Sequence, residues 1–188
     1  TAAGTPTPNF QLPTSKPVPG RVNWALGVGD WELQLRRKAI IVGAGIGGLS
    51  AGIGLRQAGW DIRIFERSAS LRELGFGIGL APNAVAALAE LGVADEVLAR
   101  AFEPTAGELR RMDGTVLKRA TWPRRLLGGP FVVAMRRALY GALLDAIGTS
   151  SISAGSEAIG FSISQGRVTL DLADGSRAEG DLLVGADG

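Results

Sequence analysis

The residues best suited to chemistry are a set of glycines near position 45. Gly43, Gly45 and Gly48 stand in the order G-x-G-x-x-G, directly after the apolar run AIIV and before a predicted helix over 46–58. The first glycine allows a tight turn, the second lets a pyrophosphate approach the backbone, and the third lets the helix pack on the strand. The free N–H groups at the start of a helix also favour phosphate. This pattern therefore predicts a dinucleotide site.

A carboxylate follows at the end of a second predicted strand, DIRIFE at 61–66. Glu66 comes 66 − 48 = 18 residues after Gly48, close to the spacing of about 20 that the fingerprint requires. A carboxylate here accepts both hydrogen bonds of an adenosine ribose and repels a 2′-phosphate, so NADP is disfavoured at this site.

The composition excludes several other kinds of chemistry. The 188 residues contain no cysteine and no histidine, which removes disulfides, thiolate nucleophiles, the usual zinc sites and His-based triads. We therefore expect no metal, and a cofactor that supplies the reactivity. The net charge is only +2, with Lys and Arg scattered, so nucleic acid is not an expected partner. No stretch is typical of a membrane span or a signal peptide, which predicts a cytoplasmic protein.

The order of the predicted strands and helices indicates an α/β fold, with a Rossmann-like βαβ start, a parallel sheet and a β-meander. Residues 1–37, rich in Pro, Thr and Gly at their start, are expected to be a flexible or loosely packed extension, and 38–188 the nucleotide-binding domain. After the βαβ unit the pattern predicts a helix from Pro82, a hairpin at Asp113-Gly114, a strand and helix over 131–147, and a meander with turns at Gln165-Gly166 and Asp174-Gly175.

The stretch AIIVGAGIGGLSAGIGLRQAGWDIRIFER resembles the opening of the FAD-dependent monooxygenases of the para-hydroxybenzoate hydroxylase type. That family includes salicylate hydroxylases, flavin-dependent urate hydroxylases and zeaxanthin epoxidases. Three later stretches resemble family motifs in the same order: GFGIGLAPNAVAALAELGV, MRRALYGALL and DLLVGADG. The resemblance runs from about residue 38 to residue 188.

The resemblance implies FAD, with Glu66 on the adenosine ribose. It places four glycines around the pyrophosphate, namely Gly43, Gly45, Gly47 and Gly48. It also implies that Arg136, at the start of its helix, lies near the flavin phosphates. A cation there opposes the helix dipole by a few tenths of a kcal/mol, which a phosphate would offset. The neighbouring Arg137 is the alternative match to this family position.

Three further positions, Arg67, Gly79 and Asp187, also match the family pattern. Arg67 follows the acid at a position that is often basic, and a solvated arginine is the alternative. Gly79 falls where the family chain passes close to the cofactor. Asp187 is either the residue that holds a backbone turn beside the cofactor or a plain turn residue. Asn83 is read as a helix N-cap rather than as a substrate contact.

The chemistry that the resemblance implies belongs to the flavin. NADH or NADPH reduces FAD, O₂ forms a C4a-hydroperoxide, and one oxygen passes to a small aromatic or related substrate. Protein groups orient the substrate and exclude water, and no catalytic residue is identified. The alternatives are a non-catalytic nucleotide-binding fragment, a FAD-dependent reductase of the geranylgeranyl reductase type, and an NAD-dependent dehydrogenase, which the resemblances at 75–93 and 181–188 disfavour.

Family members carry a later Gly-Asp motif and a substrate-covering sheet that these residues lack. The expected fold is therefore incomplete, truncated at the Asp-Gly motif of Asp187 and Gly188, with a C-terminal half missing. A fragment, a truncated gene product and one piece of a split protein are the alternatives. Missing third-layer helices and strands are expected to leave apolar surface exposed.

Overall fold

The structure is a computed structural model that describes residues 37–188, apart from 72–74 and 122–127. The predicted extension over 1–37 lies outside the described residues except for Arg37. Within the described ranges, no helix has both the length and the apolar character needed to cross a membrane.

The described elements follow one another in the order predicted from the pattern. Their bounds are β1 (Lys38–Val42), α1 (Ile46–Gln57), β2 (Asp61–Glu66), β3 (Gly77–Leu80), α2 (Pro82–Glu90), α3 (Ala94–Leu98), β4 (Ala106–Arg110), β5 (Val116–Thr121), β6 (Val132–Met135), α4 (Arg136–Ile147), β7 (Ile152–Ala154), β8 (Ala158–Ser164), β9 (Arg167–Leu172), β10 (Arg177–Gly180) and β11 (Leu182–Gly185). A 3₁₀ turn at Thr149–Ser151 joins α4 to β7.

A parallel four-stranded sheet in the order β11-β1-β2-β7 forms the centre of the domain. The start β1-α1-β2 confirms the predicted βαβ unit. Ile40 of β1 pairs with Leu183 of β11 on one side and with Arg63 of β2 on the other. Because all four strands run the same way, their carboxyl ends meet at one edge, which is where open α/β sheets bind ligands.

One face of this sheet packs against helices. Ile41 and Ile64 are fully buried there, in one cluster with Leu49 of α1 and Leu143 of α4. Gly52 permits the close approach of α1, because a Cβ at this position would lie 3.0 Å from Ile147 Cδ1. Gly52 and Gly54, in the interior of α1, lower its intrinsic helix propensity, so the stability of this helix depends on tertiary packing.

The other face packs against the meander, the antiparallel sheet β10-β9-β8. Ile40 and Phe65 are buried against Val168, Leu170 and Leu172, which alternate along β9. The meander, rather than a layer of helices, thus covers the second face of the parallel sheet. Apolar side chains are exposed elsewhere, on β8 and on the two-stranded ribbons β3-β6 and β4-β5.

Local turn chemistry agrees with the sequence at the hairpin but not at α2. In the β4-β5 hairpin, the Thr115 N–H donates to Asp113 Oδ1 at 2.8 Å, and Gly114 has φ +88°. The predicted turn is therefore confirmed. Helix α2 begins at Pro82 as predicted, but its N-cap is Ala81 and no side chain caps it. The prediction that Asn83 is the N-cap is wrong, because Asn83 is already inside the first turn.

Candidate dinucleotide site

The turn between β1 and α1 depends on two glycines that have no room for a side chain. Gly43 has φ +99°, its N–H donates to Phe65 O at 2.8 Å, and a Cβ there would lie 2.7 Å from the carbonyl carbon of Ala186. A Cβ on Gly48 would overlap the Gly43 carbonyl oxygen. These two positions thus let the turn close against β11 and let α1 pack against the turn.

The other two glycines of the motif face open space. A Cβ on Gly45 or Gly47 would meet no heavy atom within 4 Å. Gly45 is also the N-cap of α1, which has no side-chain cap and no acid in its first turn. A helix start of this kind carries a partial positive charge and N–H donors that an anion can satisfy. The opening therefore fits a phosphate group, which binds helix starts in this way.

Glu66 ends β2 directly beside this turn, and its carboxylate is held by backbone groups. The Ala44 N–H donates to Oε2 and the Ser68 N–H donates to Oε1, both at 2.8 Å. A carboxylate has about four lone-pair positions, so acceptor capacity remains for the hydroxyls of a sugar. Its orientation is therefore fixed before any ligand arrives.

A cavity of about 410 Å³ lies at the carboxyl edge of the sheet and joins these features. This volume is in the range of small-molecule and cofactor sites. Seven of the nine residues predicted for the cofactor line it together: Gly43, Gly45, Gly47, Glu66, Arg67, Arg136 and Asp187. Gly48 is buried behind the turn, and Gly79 is not among the lining residues.

Arg136 is the first residue of α4, as predicted. Its backbone N–H donates to Phe76 O at 3.0 Å, and a Cβ on Gly75 would lie 3.0 Å from its Cβ and Cδ. This close contact between the Arg136 stem and the backbone at Gly75 helps to position the guanidinium. Arg137 is not among the residues that line the cavity, so Arg136 rather than Arg137 borders it.

Gly79 lies on β3, in register with Val133 of β6. A Cβ there would lie 3.0 Å from Phe131 Cζ, so packing against this ring accounts for a glycine at the position. The structure therefore does not bring Gly79 into the cavity, and its cofactor contact stays a prediction.

Sequence reasoning missed one wall of the cavity, formed by Ser156, Glu157 and Ala158 after β7. The Ser156 N–H donates to Glu66 O at 2.8 Å, which fixes this loop beside the end of β2. The only signal that could have found it is the pairing of β7 with β2, which joins residues about 90 positions apart.

Asp187 follows the last strand, where the Ala186 N–H donates to Val42 O at 2.8 Å. This bond brings the Asp-Gly segment against the end of β1. The Asp187 side of the cavity is thus built by β11, far along the chain from the glycine motif.

A parallel sheet with a glycine-rich turn, an uncapped helix start and an acid at the next strand end defines a dinucleotide-binding α/β domain. Residues 36–188 match the family described as FAD binding domain. The chain belongs to that family, which confirms the predicted FAD and the resemblance to flavin monooxygenases.

The chain is similar to several flavin-dependent oxygenases. It is 37% identical over 163 residues to 3-hydroxybenzoate 6-hydroxylase 1 of Aquipseudomonas alcaligenes, covering 82% of this chain and 41% of that protein. It is 35% identical over 151 residues to aurachin C monooxygenase/isomerase of Stigmatella aurantiaca, covering 79% and 39%. Klebsiella pneumoniae HpxO, solved with FAD and uric acid, matches with a TM-score of 0.72 and 32% identity, covering 81% and 39%. The chain therefore spans about two fifths of the length of these relatives.

Proposed function

We propose that this chain is the FAD-binding portion of a flavin-dependent monooxygenase that uses NADH or NADPH and O₂ to hydroxylate a small aromatic or related substrate. The observation that carries the proposal is the open start of α1, bordered by Gly45 and Gly47, beside the prepositioned carboxylate of Glu66. These features lie in the part of the chain that matches the FAD binding domain family.

Different residues of the cavity would bind different parts of the cofactor. The start of α1 would bind the pyrophosphate through backbone N–H groups, and the Arg136 guanidinium, which also borders the cavity, would add positive charge. Glu66 would accept hydrogen bonds from the adenosine ribose hydroxyls. Bound FAD would supply the redox chemistry, by the oxygen-transfer route that the family resemblance implies.

The substrate class is supported by the relatives. The names of similar proteins include hydroxybenzoate and urate hydroxylases, and HpxO was solved with uric acid. These names favour an oxygenase over a reductase of the geranylgeranyl reductase type. They also favour a small ring compound, such as a phenolic acid or a purine, as the substrate.

One observation favours a second candidate function, FAD binding without turnover by this chain alone. The chain spans about 40% of the length of its relatives. Under this alternative the protein binds flavin and needs a further polypeptide segment for catalysis.

Two measurements separate these possibilities. The first is titration of the purified chain with FAD, followed by flavin fluorescence, with circular dichroism to show that the chain is folded. We expect saturable binding at one FAD per chain. Glu66→Ala should weaken binding roughly tenfold, as expected for loss of charge-assisted hydrogen bonds. Glu90→Ala, an exposed glutamate on α2, is the matched control and should bind like the native chain.

The second measurement is NADH and NADPH oxidation by the FAD-loaded chain, with and without 3-hydroxybenzoate or urate. Substrate-stimulated oxidation with formation of a hydroxylated product supports a complete monooxygenase. FAD binding with no stimulated oxidation supports the binding module. A folded chain that takes up no FAD contradicts both.

A further inference from the structure

The first strand of the meander, β8, has a long backbone edge that lacks the usual protection against pairing. In the antiparallel sheet β10-β9-β8 it is an outer strand within the described part of the chain. Its sequence, AIGFSIS, contains no charged residue and no proline, the residue types that commonly keep an edge from pairing with another chain. The register shifts between Ala158 and Gly160, so a bulge protects only the start of the strand. The regular part, residues 160–164, is the β8 edge.

Large apolar side chains project from the β8 edge. Phe161 and Ile163 are 61% and 71% exposed, although their partners in register, Leu170 and Val168 of β9, are buried against the parallel sheet. Opposite residues of an antiparallel pair point to the same face, so the apolar face of the meander continues onto β8 and is uncovered there. An exposed apolar surface of this kind marks an interaction site.

The turn between β8 and β9 determines which backbone groups face outward. Its two residues, at 165–166, have φ +51° and +74°, the pattern of a type I′ hairpin turn. The flanking residues, Ser164 and Arg167, are in register and form the hydrogen-bonded pair that closes such a turn. Hydrogen-bonded and non-hydrogen-bonded pairs then alternate along the hairpin. The N–H and C=O groups of Phe161 and Ile163 therefore point away from β9, toward the open side of the β8 edge.

The order of residues along the β8 edge is complementary to itself. Phe161 and Ile163 lie on either side of Ser162, and a two-fold symmetric contact brings the same surface of both copies together. Two β8 edges that pair antiparallel about Ser162 place Phe161 of each copy opposite Ile163 of the other. Aromatic residues opposite β-branched residues stabilise a strand pair. Because β8 carries no charge, no like charges within the two strands oppose this pairing.

We propose that the β8 edge binds a second copy of this chain, so that the two three-stranded meanders join into one continuous sheet across a two-fold axis at Ser162. Each Phe161–Ile163 pair exchanges both of its backbone hydrogen bonds across the axis. One strand from each copy is a small contact beside the roughly 1,200–2,000 Å² of a stable interface, so the dimer is weak and depends on concentration. Residues 160–164 do not line the nucleotide cavity, which stays open to FAD in both copies.

The test uses single-cysteine variants of the full chain, because the native sequence contains no cysteine. Ser162→Cys places one thiol from each copy at the axis. Opposite residues of a non-hydrogen-bonded antiparallel pair have Cα atoms about 4.5 Å apart, which is within reach of a disulfide. Ser164→Cys is the matched control, since Ser164 is an exposed serine on the same face of β8. In the proposed dimer the two Ser164 residues are separated by four residue steps, or roughly 13 Å, too far for a disulfide.

We expect mild oxidation to convert the Ser162→Cys chain into a disulfide-linked dimer at least tenfold faster than the Ser164→Cys chain, with circular dichroism showing that both are folded. Equal rates, or faster linkage through Ser164→Cys, overturn the proposal.

Sedimentation equilibrium provides an independent readout. The native chain should show a monomer–dimer equilibrium, and Ser162→Lys should raise the dimer Kd at least tenfold because it places like charges opposite each other. Ser164→Lys, which faces Gly160 of the other copy, should change the Kd less than threefold. A folded native chain that stays monomeric up to about 1 mM overturns the proposal. Neither readout needs flavin, so failure here is distinct from a failure of FAD binding.

Discussion

Replacing Gly47 by aspartate should stabilise the fold while weakening FAD binding. Gly47 lies in the first turn of α1, is exposed, and has space around its missing Cβ. Aspartate there interacts favourably with the helix dipole by about 0.3–1 kcal/mol. Loss of glycine flexibility adds roughly 0.5 kcal/mol. A gain of about 1 kcal/mol raises the Tm by roughly 2–4 °C in a chain of this size.

The same carboxylate should repel the pyrophosphate. Two unit charges about 5 Å apart interact by roughly 3 kcal/mol at an effective dielectric of about 20. Screening at an exposed position reduces this to about 2 kcal/mol, or a Kd roughly 30-fold higher. Gly47→Ala is the control, with the same backbone effect and no charge. The assays are thermal unfolding of the apoprotein and FAD titration at low salt. Equal FAD affinity in the two variants would refute the assignment of phosphate to this helix start.

Three further predictions follow from other parts of the structure. Arg136→Ala should weaken FAD binding by roughly 10- to 100-fold, the effect of losing a charged hydrogen bond, whereas Arg137→Ala should change the Kd less than twofold; similar losses would contradict the assignment. Gly43→Ala should lower the Tm by several degrees because φ is +99° and the new Cβ would overlap the Asp-Gly segment; an unchanged Tm would contradict this. The hydrogen bond from the Thr115 backbone N–H holds the pKa of Asp113 below 3.8. This hydrogen bond therefore stabilises the hairpin above pH 3.8, and the stabilisation is lost as the pH falls through the lower folded-state pKa of Asp113. A carboxyl NMR titration midpoint at or above 3.8 would contradict this.

The nucleotide-binding half of the site could be predicted because its determinants are local. The turn at Gly43, the helix start at Gly45 and the acid at Glu66 lie within 24 residues of one another, and each has a physical requirement that a sequence pattern expresses. Arg136 was found by a family motif, since nothing in its immediate sequence shows that its helix starts at the cavity.

Features that depend on long-range pairing and match no family motif could not be predicted. Ser156 and Glu157 reach the cavity because β7 pairs with β2, and short parallel strands carry no signal of their partner. The position of the meander on the second face of the sheet has the same origin. The prediction that Asn83 is the N-cap is wrong for a different reason. Pro82 is the first residue of the helix, so the N-cap is Ala81.

The central claim is that the start of α1 binds the pyrophosphate of FAD, and phosphorus NMR of FAD titrated with the folded chain tests it most directly. The account predicts that both pyrophosphate resonances shift or broaden with saturation at one FAD per chain, and that Gly47→Asp suppresses the change while Gly47→Ala preserves it. Unchanged resonances in the presence of the folded native chain, or an equal response in the two Gly47 variants, would contradict it.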